Sequence, residues 1–116
     1  MTLETLRTYC LSKAFTSEHL PFDDRTLVFK AGSKMFALVD IDAAKSVNLK
    51  CDPERAIELR ESFPEIQPGY HMSKAHWNTV SLLGSLEDKM IFELIDHSYD
   101  LVVNSLTKKE NVSLES

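Results

Sequence analysis

Between Thr26 and Cys51 the chain reads as three short runs of β-forming residues separated by two brief turns, Gly32-Ser33 and Asp42-Ala43-Ala44-Lys45. Strands joined by so few residues pair antiparallel, because a parallel crossover needs a dozen residues or more. The runs cover residues 26–31, 35–41 and 46–51, and they commit the middle of the chain to an antiparallel meander. Helical patterns flank it. Thr2 is placed to cap a first helix whose apolar positions Leu3, Leu6, Tyr9 and Cys10 recur at helical spacing, ending near Lys13. The stretch 14–25, with Pro21 and Asp23-Asp24, reads as a loop.

After the meander, Asp52-Pro53 supplies a cap and a first-turn proline for a helix over 54–62, stopped before Phe63-Pro64. A loop over 65–70 leads to His71-Met72-Ser73-Lys74-Ala75-His76-Trp77, and 78–83 alternates like another strand. Ser85 with Asp88 resembles a capping box for a last helix running to Leu106, striped by Leu86, Met90, Ile91, Leu94, Ile95, Val102, Val103 and Leu106. The polar tail 108–116 is expected to fray. Helices at the ends and a meander between them predict an α+β two-layer sandwich, with the N-terminal, middle and long C-terminal helices on one face of an antiparallel sheet.

At 116 residues, 43% apolar and 27% charged, the chain suits one globular domain over 1–116 that needs neither metal nor disulfide to hold a core. The longest unbroken apolar run, 35–39, is too short to cross a bilayer, so no membrane is expected as a partner. The first residues lack a basic start and an apolar middle, which predicts a cytoplasmic protein with Cys10 and Cys51 as free core thiols.

Register assigns the faces. With Gly32-Ser33 as a two-residue loop, Phe29 opposes Phe36 and Leu27 opposes Leu38; the next turn pairs Leu38 with Leu49 and Phe36 with Cys51. The core face is then Leu27, Phe29, Phe36, Leu38, Val47, Leu49 and Cys51. The other face carries Thr26, Val28, Lys30, Met35, Ala37, Val39, Ser46, Asn48 and Lys50, joined by Trp77, Thr79 and Ser81 if Val80 and Leu82 point inward. His76 is expected on the inward side with Val80.

The net charge of −5 excludes a generally basic nucleic-acid coat. Locally the balance reverses. Residues 25–50 carry five basic groups against Asp40 and Asp42, while 51–116 carry six basic against twelve acidic, and 66–86 holds no carboxylate. A segregated field of this kind can draw in a polyanion.

Motifs for catalysis are missing from the sequence: no glycine-rich phosphate loop, no Gly-x-Ser-x-Gly, no His-Glu-x-x-His. His71 and His76 have no ligand-type residue between them, and His97 beside Asp96 suits a solvated or capping role. The expectation is no enzyme, no cofactor and no metal.

Two stretches go beyond generic pattern. Pro21-Phe22-Asp23-Asp24-Arg25-Thr26-Leu27-Val28-Phe29-Lys30 continuing through Lys34-Met35-Phe36-Ala37-Leu38-Val39, and Val47-Asn48-Leu49-Lys50 with Tyr70-His71-Met72-Ser73-Lys74-Ala75-His76-Trp77-Asn78-Thr79-Val80, resemble the MmcQ/YjbR family of small bacterial proteins. The block from His71 to Val80 is the specific part. The resemblance implies a compact fold akin to frataxin-like and secretion-chaperone-like sandwiches, and DNA binding through a double wing of β-hairpins. Carried over by position, the implied contacts are Lys30, Lys34, Lys45 and Lys50 on the wings and Lys74, His76 and Trp77 in the signature loop. The expected function is a non-catalytic domain that binds DNA weakly and with little sequence preference. The alternative is a protein- or small-ligand-binding module using the open sheet face.

Overall fold

Residues 1–106 are described by the structure, a computed structural model, so the frayed tail expected over 108–116 lies outside the described residues. The elements run α1 (Leu3–Leu11), β1 (Thr16–His19), β2 (Thr26–Ala31), β3 (Lys34–Asp40), β4 (Ser46–Lys50), α2 (Pro53–Ser62), β5 (Ile66–Pro68), β6 (Trp77–Ser81) and α3 (Asp88–Ser105). The six strands form one antiparallel sheet in the order β1-β2-β3-β4-β6-β5, not closed into a barrel. All three helices pack on one side. Leu6 and Cys10 of α1 and Ile91, Leu94, Ile95 and Val102 of α3 share a core with Phe29, Val39, Val47, Leu49 and Val80, with Leu59 of α2 at its margin.

Local chemistry explains most boundaries. The Thr2 hydroxyl accepts the Thr5 N–H at 3.1 Å to start α1, and the Asp52 carboxylate accepts the Arg55 N–H at 3.2 Å ahead of Pro53 in α2. Gly32, at φ 60° in the first position of the two-residue β2–β3 loop, supplies the left-handed backbone that a type II′ hairpin requires. The start of α3 departs from expectation. Its cap is Glu87, with no side-chain bond, because the Ser85 hydroxyl donates instead to the Glu65 carboxylate across the molecule.

Two strands lie inside the stretches read as loops. β1 is an edge strand of Thr16-Ser17-Glu18-His19, and β5 is three residues ending in Pro68 at the other edge. Neither alternates apolar with polar residues, and each is held by pairing with a longer neighbour.

The larger correction is in β3. The pairs Ala31↔Lys34 and Lys30↔Met35 follow the two-residue loop, but Phe29 then faces Ala37, Val28 faces Leu38 and Leu27 faces Val39. Phe36 is an extra residue at a β-bulge, and past it every side chain changes face. Ala37 and Val39 therefore enter the core with Phe36, while Leu38 crosses to the open face opposite Asn48 instead of Leu49. Ser98 of α3 completes the interrupted ladder. Its hydroxyl donates to the Phe36 carbonyl at 2.5 Å and accepts the Lys50 N–H at 2.9 Å, so the backbone groups parted by the bulge stay bonded.

Candidate functional site

The sheet face away from the helices carries Ser17, Lys30, Met35, Leu38, Asn48, Lys50, Trp77 and Thr79 by register. Its centre is a small apolar cluster of Val28, Leu38 and Trp77, with Met35 and Met72 packed against it. Trp77 is 9% exposed, so it belongs to the floor of this face rather than projecting from it. Beside the cluster a groove of about 610 Å³ opens between the β3–β4 turn and the loop before β6, lined among others by Met35, Leu38, Asn48, Tyr70, His71 and Met72.

The loop from Gly69 to Trp77 is tied to itself and to α2. The Gly69 N–H donates to the Trp77 carbonyl at 2.9 Å, and a Cβ at Gly69 would come within 2.7 Å of the Trp77 Cβ, so only glycine permits this approach. From α2, the Arg60 guanidinium donates to the Asn78 side-chain oxygen at 2.6 Å, to the Trp77 carbonyl at 3.2 Å and to the Lys74 carbonyl. Tyr70 is positioned from below. Its N–H donates to the Thr79 hydroxyl at 2.9 Å, that hydroxyl donates to the Asn48 side-chain oxygen at 2.6 Å, and the Asn48 amide donates to the Tyr70 carbonyl at 3.2 Å. The Tyr70 ring is left 69% exposed against His71, ring centres 4.0 Å apart.

The residues singled out from sequence do not all meet. Lys30 and Lys50 lie half-buried on the open face, in the row that includes Met35 and Trp77. Lys45 is exposed on the β3–β4 turn, at the opposite end of β3 from the Gly32-Ser33 turn, roughly 20 Å away along a seven-residue strand. Lys34 belongs to the other face. Its ammonium donates to the Ser105 carbonyl at 2.9 Å and hydroxyl at 3.2 Å, where a cation suits the C-terminus of α3. The Lys74 ammonium donates to the Gly69 carbonyl at 3.0 Å, closing the loop on itself. His76, expected inward, is exposed, because β6 begins only at Trp77 and the preceding backbone turns, with the His76 N–H donating to the Ser73 carbonyl at 3.2 Å.

Acid collects elsewhere. The three helices hold eight carboxylates, Glu4, Glu54, Glu58, Glu61, Asp88, Glu93, Asp96 and Asp100, against four basic groups, Arg7, Arg55, Arg60 and Lys89. On the open face the strands offer Lys30 and Lys50 against Asp40. That carboxyl accepts the Asp42 and Ala43 N–H groups at 2.9 and 3.1 Å, and the Ala43 bond above all holds it below the usual carboxylate range. Arg25 pairs with it at 3.3 Å and with Asp42 at 3.0 Å.

Cys10 and Cys51 are free and buried, and burial pushes the Cys10 thiol up to about 12 and raises that of Cys51, which keeps both protonated. Among the described residues no three His, Cys, Asp or Glu side chains gather as metal ligands would, and no helix is long and apolar enough to cross a membrane.

Residues 11–101 match the model of the YjbR family. The chain belongs to that family. Over 111 residues it is 36% identical to YjbR of Escherichia coli K12, an uncharacterised protein, covering 95% of this chain and 94% of that one. YbdF of Escherichia coli O157:H7, also uncharacterised, is 34% identical over 108 residues, 92% of this chain and 88% of its own. Among solved structures, the Deinococcus radiodurans protein DR2400 superposes with a TM-score of 0.92 at 43% identity, covering 98% of this chain and 88% of its own. A Pseudomonas syringae protein gives 0.75 at 32% identity, over 88% and 99% respectively.

Reading the YjbR-family sequence missed Arg60 and Gly69, which shape the site without lining it. The signal for Tyr70 was present, since it adjoins the recognised block, but nothing local distinguishes an exposed tyrosine that the Asn48 and Thr79 side chains position from any other loop tyrosine.

Proposed function

We propose that this protein is a non-catalytic, cytoplasmic nucleic-acid-binding domain whose contact surface is the open sheet face. The observation that carries the reading is the one-sided charge: the open-face strands offer Lys30 and Lys50 against Asp40, which shares Arg25 with Asp42, with Lys45 at the rim, while eight carboxylates stud the helices behind. Phosphates are drawn to the first side and repelled by the second, which orients the chain on a polyanion despite its net −5. The face between the hairpins then makes the contact, and Lys34, turned toward α3, contributes little to it.

With three lysines engaged, affinity falls with salt at a log–log slope of about −2 to −3, and the acidic helices keep binding in the micromolar range. Base edges meet few polar side chains, Ser46 and Asn48 among them, so sequence preference is slight. The test is a fluorescence-anisotropy titration against labelled oligonucleotides from about 50 mM salt upward. Charge reversal of Lys30 and Lys50 together should weaken binding at least about tenfold, whereas Lys34→Glu leaves it within about twofold. Absence of binding at the lowest salt, or equal losses from the two substitutions, defeats the reading.

A second reading, a protein segment or small ligand seated on the same face, is favoured by the groove itself, whose floor of Met35, Leu38 and Met72 is apolar. A protein that ignores every oligonucleotide at low salt would leave this reading in possession of the site.

A further inference from the structure

We infer that the occupant of the open-face groove is a single-stranded segment of nucleic acid, with an unpaired base stacked on Tyr70 and its phosphates running along β4 from Lys45 toward Lys50. The inference rests on the nucleic-acid reading above and names its substrate class. A duplex keeps its bases stacked inside and offers a protein mainly phosphates and groove edges, so it cannot cover an apolar floor or an exposed aromatic ring. This face has both. Met35, Leu38 and Met72 lie under the groove, and the Tyr70 ring stands exposed at its margin, its backbone fixed by Thr79 and Asn48 before any ligand arrives.

Single-strand binders combine such a stacking platform with a basic track for the backbone. Here the track is β4 with the turn residue before it, Lys45 and Lys50 lying about 16 Å apart by strand rise, with Lys30 two strands beyond Lys50 in the same row. The opposite margin carries acid. Phe22 also lines the groove and is 64% exposed, but Asp23 and Asp24 follow it directly. The Asp23 carboxyl accepts the Arg25 and Thr26 N–H groups at 2.9 and 2.7 Å, of which the Arg25 bond acts most to hold it in its charged form. A chain of phosphates is therefore steered to the Tyr70 side, and Tyr70 and Phe22, two exposed rings on one groove, are assigned different roles.

The experiment compares a labelled thymidine oligonucleotide, a uridine oligonucleotide of the same length and a duplex, all with the full chain at low salt. Emission of Trp77, the chain's one tryptophan and a member of the apolar cluster beside the groove, is the second readout. The expected result is single strands bound at least about tenfold tighter than duplex, a roughly tenfold loss on Tyr70→Ala, recovery with Tyr70→Phe and less than about twofold change on Phe22→Ala. The thymidine and uridine arms show whether DNA or RNA is preferred. Equal or tighter binding of duplex, or no effect of Tyr70→Ala, overturns the inference and leaves the nucleic-acid reading standing. Failure of all three to bind overturns both. Both rings are exposed, so an unchanged melting temperature separates lost stacking from lost fold.

Discussion

On the helix-covered side of the sheet, Phe29, Phe36, Val47 and Leu49 lie at most 2% exposed among side chains from α1 and α3, whereas across the same strands Lys30, Asn48 and Lys50 stay half-buried around a cluster of Val28, Leu38 and Trp77. The first face is closed by contacts between elements distant in sequence. Tyr9 of α1 donates its hydroxyl to Asp96 of α3 at 2.7 Å, its ring stacks on Phe92 at 4.0 Å, and Lys13 pairs with the same carboxylate at 2.5 Å. Among the described residues the second face is covered by its own loop, pinned by Arg60 and Gly69. Stability therefore resides mainly on one side of the sheet and recognition on the other, although both share the same backbone.

Substitutions can break that division. The largest loss is expected for Phe36→Ala, about 3–5 kcal/mol, because the ring is fully buried and meets Tyr99 edge-on at 5.5 Å. Trp77→Ala should cost roughly 2–4 kcal/mol, less than Phe36→Ala, since the indole packs against a smaller, partly open cluster. Urea denaturation of the two variants tests the ranking, and a greater loss at Trp77 would reverse the roles given to the faces.

Ser98→Ala sharpens the comparison at the bulge. Removing the hydroxyl leaves the Phe36 carbonyl and the Lys50 N–H without the bonds it makes, at a cost of about 1–3 kcal/mol. A loss within about 0.5 kcal/mol would mean that the ladder closes without it.

A smaller effect is expected from pH. The His97 ring accepts the Asp52 N–H at 3.1 Å, and burial, with Arg55 adding to it against Asp52 and Asp100, lowers its pKa from the ordinary 6.5. The neutral ring is favoured in the native state, so below that value the unfolded chain takes up the proton first. The contribution is full above about pH 6.5 and declines as pH falls through it, levelling off below the native value. Denaturation midpoints at pH 8 and pH 5 should differ accordingly, and His97→Gln should narrow the difference.

Least of all, Lys74→Ala and Tyr70→Ala should each shift stability by no more than about 0.5 kcal/mol, because both side chains are exposed. The Lys74 bond to Gly69 spans only five residues in an already tied loop. Equal thermal shifts for Lys74→Ala and Trp77→Ala would show that the signature loop is not divided between floor and rim.

Local sequence determined the helices, the two hairpins and the side on which Phe29, Val47, Leu49 and Val80 would lie, because caps, a glycine at the turn and apolar spacing act over a few residues and need no partner. The resemblance carried by Tyr70 to Val80 likewise reached the family that the comparison then showed. Tertiary structure decided the rest. A bulge adds one residue without any local signature, so that Leu38 and Val39 exchanged faces only when α3 brought Ser98 to the gap. β1 and β5 exist because longer strands pair with them, and Lys34 left the predicted surface because α3 ends beside it, with the Ser105 carbonyl free of any intrahelical partner. A sequence states what each residue can bond to nearby, but which distant group satisfies a buried N–H, a carbonyl or a charge is settled only by where the packed helices come to rest.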